Sequence, residues 1–116
     1  MDPEELKIRT KEFAKRVIFL CRQLPDSREA GLIGGQLFRS GTSVGANYRA
    51  ACRARSKADF ISKLGISLEE ADEALYWLEI LLETNIVQAN LLSGIMAEAD
   101  ELVGIFVTSL NTAKRK

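Results

Sequence analysis

Few side chains in this sequence have the type and spacing that catalysis or metal binding requires. The chain contains no histidine, which excludes Ser-His-Asp and Cys-His catalysis and every histidine-ligated metal site. Ser40 and Ser43 therefore have no histidine to activate them. Cys21 and Cys52 are isolated from each other, without the paired spacing of a redox or zinc motif, and we interpret them as small apolar residues of a reducing compartment. We expect no enzyme, no metal and no cofactor.

Glycine-rich and acidic segments are the other features that could bind a cofactor. The segment GLIGG at 31–35 lacks the P-loop pattern and follows no predicted strand, so we do not expect it to bind phosphate. Six carboxylates lie between positions 69 and 83, namely Glu69, Glu70, Asp72, Glu73, Glu79 and Glu83. Di-iron sites in helical bundles combine carboxylates with histidine. Because histidine is missing, we interpret Glu69, Asp72, Glu79 and Glu83 as a solvated face.

Basic residues are the stronger functional candidates because they recur at helical spacing. Two rows can be distinguished: Lys7, Lys11 and Lys15 in the first, and Arg49, Arg53 and Lys57, with Arg55 alongside, in the second. Like charges four residues apart destabilise a helix slightly, whereas binding of phosphate groups releases counterions and would compensate. Tyr48 is the one aromatic residue near the second row that could stack on a base. The alternative is a solvated surface that acidic residues of the same protein neutralise.

The charge of the chain is divided between its two halves, although its net charge is zero. Residues 1–58 contain 12 Lys and Arg and 6 Asp and Glu, a net charge of +6. Residues 59–116 contain 4 and 10, a net charge of −6. This division predicts one basic and one acidic half, which can pair within the fold or between subunits.

Length and composition predict a single soluble domain over 1–116. The chain is 47% hydrophobic and 28% charged, which is typical of a globular protein with one core. No apolar run approaches the roughly 18 residues that a membrane span requires, and the charged N-terminal segment lacks the apolar stretch of a signal peptide. We therefore expect a cytoplasmic protein that has no membrane partner.

Apolar periodicity predicts four helices and no strand. Apolar residues recur three and four positions apart. Helix start signals occur at Asp2 with Pro3, at Asp26 with Glu29, and at Ser56 with Asp59. The predicted helices cover 3–24, 27–54, 57–83 and 90–112, and the basic tail at 114–116 is expected to fray. Four helices with short connections predict an all-α fold, an antiparallel up-down four-helix bundle.

Five glycines between positions 31 and 45 lie inside the second predicted helix. Each costs about 1 kcal/mol relative to alanine in a helix interior. Gly34, Gly41 and Gly45 fall on the apolar face of this helix. We therefore expect a neighbouring helix to pack closely there and to offset the cost.

A second set of apolar residues points away from the predicted core on a helical wheel. In the first helix these are Ile8 and Phe19, and in the third they are Ile66, Trp77, Ile80 and Leu81. The corresponding face of the second helix is small and mixed, and includes Ser43, Ala46 and Asn47. Clustered exposed apolar residues often mark an interface, so we interpret these residues as a contact between subunits. An additional core layer within the monomer is the alternative.

An ion pair is predicted on the same side of the second and third helices. Arg39 lies on the outer face of the second helix, and Glu70 lies on the corresponding face of the third. We expect the two to pair within a subunit or between subunits. A buried pair of this kind fixes the register of two helices more than it adds stability.

Three segments of the chain resemble a known family. They are RQLP (22–25), RSGTSVGANYRA (39–50) and SKADFISKLGISLEEADEALYWL (56–78). These segments are similar to the bacterial four-helix-bundle proteins encoded within intervening sequences of 23S ribosomal RNA genes. The accessory variability proteins of diversity-generating retroelements are similar too. The resemblance covers most of the chain, and it is most specific at Arg39-Ser40, Ser43, Ala46-Asn47 and 67–70.

This resemblance implies an up-down bundle, commonly assembled as a homopentamer, with no enzymatic activity. For the retroelement relatives it implies binding of nucleic acid and reverse transcriptase through a basic surface. One position departs from the family pattern, because Ala50 stands where relatives have a glutamate three residues after the asparagine. If that glutamate makes a polar contact in the family, the contact is absent or rebuilt here.

Two functions of different classes are therefore expected. The first is an oligomeric accessory protein that binds RNA or DNA through its basic residues. The second is a structural scaffold that contacts copies of itself or another protein and binds no nucleic acid.

Overall fold

Four α-helices form the fold in the computed structural model, which describes residues 1–115. They are α1 (Pro3–Arg22), α2 (Arg28–Cys52), α3 (Lys57–Glu83) and α4 (Ala89–Arg115). No strand occurs in this part of the chain. The predicted end of the last helix at 112 is wrong, because α4 includes Lys114 and Arg115 of the basic tail, and cations in the last turn complement the helix dipole. Lys116 lies outside the described residues.

Side-chain caps fix where the first three helices begin. The Asp2 carboxylate accepts a hydrogen bond from the Glu5 backbone N–H at 2.9 Å, and the Ser56 hydroxyl accepts one from the Asp59 N–H at 3.1 Å. Both caps confirm the start signals predicted from the sequence. The predicted cap at Asp26 is wrong by one residue, since the Ser27 hydroxyl accepts the bond from the Ala30 N–H at 3.2 Å.

The turn from α3 to α4 depends on one residue with a left-handed backbone. Asn85 has a φ of 60°, a conformation that asparagine adopts more easily than most residues. The Ile86 N–H donates to the Leu81 carbonyl and the Asn85 N–H to the Leu82 carbonyl, each at 3.1 Å. These two bonds form a Schellman motif, which satisfies carbonyls at the end of α3 and terminates the helix.

The helices pack in chain order as an antiparallel up-down bundle. Contacts are most extensive between α2 and α3 and least extensive between α1 and α4. The antiparallel arrangement shows in contacts such as Val17 against Gly41 and Thr10 against Gly45. The bundle measures 46 × 20 × 19 Å. The predicted fold class, an all-α four-helix bundle, is confirmed.

The core is formed by apolar residues from all four helices. Phe13 of α1, Leu37 of α2 and Phe106 of α4 are fully buried. Leu81 is also fully buried, so its predicted place on an outer surface is wrong. Its burial follows from the position of α3 between α2 and α4, because a helix with two neighbours buries a wider apolar stripe than one face of a wheel suggests.

Glycines allow α1 and α2 to approach closely, as predicted. A Cβ atom added at Gly41 would lie 2.7 Å from Val17 Cγ2, and one added at Gly34 would lie 2.7 Å from Leu24 Cδ1. At Gly45 the added atom would lie 3.0 Å from Thr10 Oγ1 and 3.3 Å from the Thr10 backbone carbon. At Gly41 and Gly45, close packing against α1 therefore offsets the loss of helix propensity, whereas Gly34 packs against Leu24 in the connection after α1.

Candidate functional site

A groove between α1 and α2 contains residues from both predicted basic rows. Its volume is about 440 Å³. It is lined by Lys7 and Lys11 of α1, by Arg49 of α2 and by Arg53, the residue that caps the end of α2. Glu4 is the one acidic residue among the residues that line it, so positive charge predominates.

Helix geometry and small side chains together form this groove. Lys7 and Lys11 are one helical turn apart and therefore share one face of α1. Arg49 lies in the last turn of α2, four residues before its C-cap residue Arg53. Gly45 brings α2 against Thr10. The Thr10 hydroxyl donates to the Leu6 carbonyl of its own helix at 2.9 Å, so it needs no partner in the groove. The small side chains Ala14 and Ala46 also line the groove and leave its volume open.

Most of the cations in the groove have no acidic partner. The Lys7 ammonium lies 3.0 Å from the exposed Glu4 carboxylate. Lys11, Arg49 and Arg53 form no ion pair with any residue between 1 and 115. Arg49 and Arg53 are exposed, as is Lys11. The groove therefore presents uncompensated positive charge to solvent.

The other predicted basic residues lie outside the groove. Arg55 lies in the connection between α2 and α3, and Lys57 is the first residue of α3. Lys15 pairs with Glu12 at 3.0 Å on the outer face of α1. The predicted stacking platform is wrong, because Tyr48 is buried with its ring 5.8 Å from that of Phe106. Burial of Tyr48 also raises the pKa of its hydroxyl.

Arg39 joins α2 to α3 through two carboxylates of the same chain. Its guanidinium lies 2.8 Å from Glu70 and also donates to Glu73. The Trp77 Nε1–H donates to the same Glu73 carboxylate at 3.0 Å. The bonds from Arg39 and Trp77 lower the pKa of Glu73, and Glu73 in turn raises the pKa of Arg39. Glu73 and Trp77 thus extend the predicted Arg39–Glu70 pair into a network.

The residues predicted to form a subunit interface occupy different environments in the monomer. Ile66 is 39% exposed, whereas Trp77 and Ile80 are half-buried. Tyr76, which was not predicted to lie at this interface, is 52% exposed and packs edge-on against Trp77 at 5.0 Å between ring centroids.

The small residues of α2 that were assigned to the same interface also occupy different environments. Ala46 lines the groove beside α1. Asn47 is half-buried, and its amide donates to the Ser43 carbonyl at 2.9 Å. The Ser43 hydroxyl donates to the Arg39 carbonyl at 2.6 Å. Both polar side chains are therefore bonded within α2.

An ion cluster between α1 and α4 was missed in the sequence. Arg9 donates through two nitrogens to the two oxygens of Glu98, each at 2.7 Å, and lies 2.7 Å from Glu101. These carboxylates raise the pKa of Arg9. The partners are 89 positions apart in the chain. The only signal of this cluster in the sequence is the spacing of Glu98 and Glu101, which lie three residues apart and so share one face of a helix.

The isolated cysteines and the scattered carboxylates form no metal site in the described chain. No group of three or more Cys, Asp or Glu side chains there has the arrangement of a metal centre. Cys21 is half-buried, with its sulfur 3.5 Å from the Gly34 carbonyl, and burial raises the pKa of its thiol. Among the described residues, none of the helices has the length and apolar character that crossing a membrane demands.

These features define a small all-α bundle protein with a basic groove between its first two helices. The sequence profile of the 23S rRNA-intervening sequence protein family matches residues 4–107, and the chain belongs to this family. Comparison with curated proteins finds no match.

A solved structure supports the same assignment. It is the crystal structure, at 1.70 Å resolution, of a protein with unknown function from the S23 ribosomal protein family from Bacteroides thetaiotaomicron. The two chains are 38% identical, with a TM-score of 0.84, over 90% of this chain and 96% of the other. Neither the family nor this structure is described as an enzyme.

Proposed function

We propose that this protein is a non-enzymatic, homo-oligomeric bundle that binds the phosphate backbone of nucleic acid through the groove between α1 and α2. The observation that supports this proposal most directly is the convergence of four cations on one groove. Three of them, Lys11, Arg49 and Arg53, form no ion pair within the described chain. Phosphate groups would neutralise this charge with release of counterions.

Backbone contacts should dominate over base recognition. No aromatic side chain lines the groove, and Lys and Arg contacts to phosphate position a nucleic acid without reading its sequence. Binding by a single groove should be weak. A homo-oligomer repeats the groove in every subunit, so several weak contacts on one strand would act together through avidity. The pentamer is the form that the family resemblance implies.

A gel-shift titration with mixed-sequence RNA and DNA at about 50 mM salt tests the proposal. We expect both nucleic acids to shift with similar affinity. Replacing both Arg49 and Arg53 by glutamine should weaken binding, because it removes half of the groove's cations. The matched control replaces Arg55 and Lys57, which lie outside the groove, and should change binding less. Absence of any shift by the wild-type oligomer would contradict the proposal.

A protein-interaction scaffold is the second candidate, and the exposed apolar residues of α3 favour it. Tyr76 is exposed and packs against the half-buried Trp77 in an aromatic cluster, and Ile66 is exposed about three turns earlier on the same helix. Such a cluster fits contact with another copy of the chain or with a different protein. This function would account for α3 but would leave the basic groove unexplained.

A further inference from the structure

We infer that the groove between α1 and α2 accepts one nucleic-acid strand at a time and discriminates against duplex. This inference rests on the proposed function, because it specifies which form of nucleic acid the same groove binds. Its basis is the shape of the groove, in addition to its charge.

The groove is a small recess between two closely packed helices. It holds about 440 Å³, and the Gly41 and Gly45 contacts place α1 and α2 close together. A DNA duplex is stiff, with a persistence length of about 150 base pairs, so it cannot bend into a recess of this size and touches only the ends of the long basic side chains. A single strand is flexible and can place its backbone against the floor.

Cations line both sides of the groove. Lys7 and Lys11 lie one turn apart on α1, whereas Arg49 lies in the last turn of α2, four residues before Arg53, which caps that helix. One turn separates Lys7 from Lys11 by about 6 Å along the helix axis. A strand that lies in the groove has cations on both sides, so successive phosphates meet positive charge from α1 and α2. A duplex resting across the rim reaches fewer of these groups at once.

The groove offers no surface on which bases could stack. Single-strand binding commonly relies on aromatic side chains that stack on bases, but no aromatic residue lines this groove. The Thr42 hydroxyl at the groove donates to the Phe38 carbonyl at 2.7 Å and is therefore already engaged. The bases should point away from the floor. Preference for a single strand should then be independent of base composition.

Fluorescence polarisation on the full-length protein tests this inference. The probe is a short labelled DNA strand of mixed sequence, alone or annealed to its complement, at about 50 mM salt. We expect a Kd about tenfold lower for the single strand than for the duplex. Oligo-dT and oligo-dA of the same length should bind with similar affinity. A clear preference for one of them would show that base stacking contributes, contrary to the inference.

Variants that fill the floor of the groove without changing its charge test whether the shape of the groove contributes to strand binding. Ala14→Leu introduces a bulky side chain into the groove from α1, so it should weaken single-strand binding about tenfold and leave duplex binding unchanged. Ala46→Leu introduces the same bulk from α2 and should have the same effect. The control is Ala97→Leu at an exposed position of α4, which should bind like the wild type. Helix content and solution mass of each variant are compared with the wild type.

The outcomes distinguish this inference from the proposed function. Equal affinity for strand and duplex, or unchanged binding in both floor variants, would overturn the inference and leave the proposed function intact. No binding of either form would remove the proposed function, and the inference with it. Single-strand preference that both floor variants abolish would support both.

Discussion

At the residue scale, Arg39 illustrates how one cation organises two helices. It contacts Glu70 and Glu73 of α3, and Glu73 also accepts the Trp77 indole N–H. Glu70 is only 14% exposed, whereas Arg39 is 49% exposed. Solvent screens a pair at such a site, so the network should set the register of α2 on α3 more than it adds stability.

The depressed pKa of Glu73 predicts an acid transition that Trp77 reports. Trp77 is the only tryptophan of the chain, so all tryptophan fluorescence comes from this one site. A carboxyl whose folded pKa is lowered contributes stability above its ordinary pKa and loses it as the pH falls through the folded value. We therefore expect the Trp77 emission to change with a midpoint below 4.5, the ordinary pKa of glutamate, while circular dichroism shows intact helices.

The control for this transition is Glu73→Gln, which retains a hydrogen-bond acceptor for Trp77 but cannot ionise. The emission of this variant should not change over the same pH range. A wild-type midpoint at or above 4.5 would contradict the assigned role of Arg39.

At the element scale, the close contact of α1 with α2 depends on specific glycines. The atoms that oppose Gly41 belong to a valine, which has little rotamer freedom, and those that oppose Gly45 include backbone. The atom that opposes Gly34 is the end of a flexible leucine side chain. Gly31 and Gly35 have open space around them. Glycines of one helix should therefore respond differently to the same substitution.

Alanine substitutions test this ranking. For Gly41→Ala and Gly45→Ala, overpacking costs about 1–3 kcal/mol, which exceeds the gain of about 1 kcal/mol in helix propensity. Both variants should lower the free energy of unfolding, and Gly34→Ala should change it little. Gly35→Ala is the matched control in the same helix and should raise it by about 0.5–1 kcal/mol. Thermal denaturation measures all four, and stabilisation by Gly41→Ala would contradict the close contact.

The contact between α1 and α4 depends on an ion pair, so its loss should destabilise the bundle. Contacts between these two helices are the least extensive in the bundle, and Arg9 bridges them. The side chains of Arg9 and Glu98 are only 23% and 17% exposed. Arg9→Lys keeps the charge but loses the bidentate hydrogen bonding to the carboxylate. We expect this substitution to lower the free energy of unfolding by about 1–3 kcal/mol, a value between those typical of exposed and of buried ion pairs.

Lys15→Ala is the comparison for this variant. It breaks the exposed Lys15–Glu12 pair and should change stability by less than about 0.5 kcal/mol in urea denaturation. Equal effects of the two substitutions on the free energy of unfolding would show that the contact between α1 and α4 does not depend on Arg9.

Much of the element-scale structure could be predicted from the sequence, because it depends on local patterns. The four helices follow from apolar periodicity, and the caps at Asp2 and Ser56 follow from side chains three residues from the N–H groups they satisfy. The choice of Ser27 over Asp26 could not be predicted, since both residue types are good caps. The close approach at Gly41 was predictable because only packing compensates for glycine inside a helix.

Features that depend on several helices at once could not be predicted in this way. Leu81 was assigned to the surface because a wheel of one helix does not show that α3 has neighbours on two sides. The Arg9 cluster depends on how α4 returns beside α1. The basic groove could be predicted only in part. The two rows of cations were recognised in the sequence, but not that they line one groove between α1 and α2. The same packing buried Tyr48 and placed Arg55 outside the groove.

At the scale of the whole molecule, exposed apolar residues on α3 predict self-association. Burial of Trp77 and its neighbours between subunits would contribute several kcal/mol at roughly 25 cal/mol per Å², and identical subunits favour a closed ring. Light scattering should give a mass several times that of one chain, and Trp77→Ala should shift it toward the monomer. Leu91→Ala, at an exposed position of α4, is the control and should leave the mass unchanged. A monomeric wild type at tens of micromolar would contradict this prediction.

The salt dependence of binding tests the role of the groove most directly. The association constant for a single strand is measured between about 50 and 200 mM salt, and its logarithm should fall linearly with the logarithm of the salt concentration. Replacing Arg49 and Arg53 by glutamine should flatten this slope by about 0.7 for each phosphate contact removed. Replacing Arg55 and Lys57 should leave the slope close to that of the wild type. An unchanged slope in the Arg49 and Arg53 variant would contradict the claim that this groove binds the phosphate backbone.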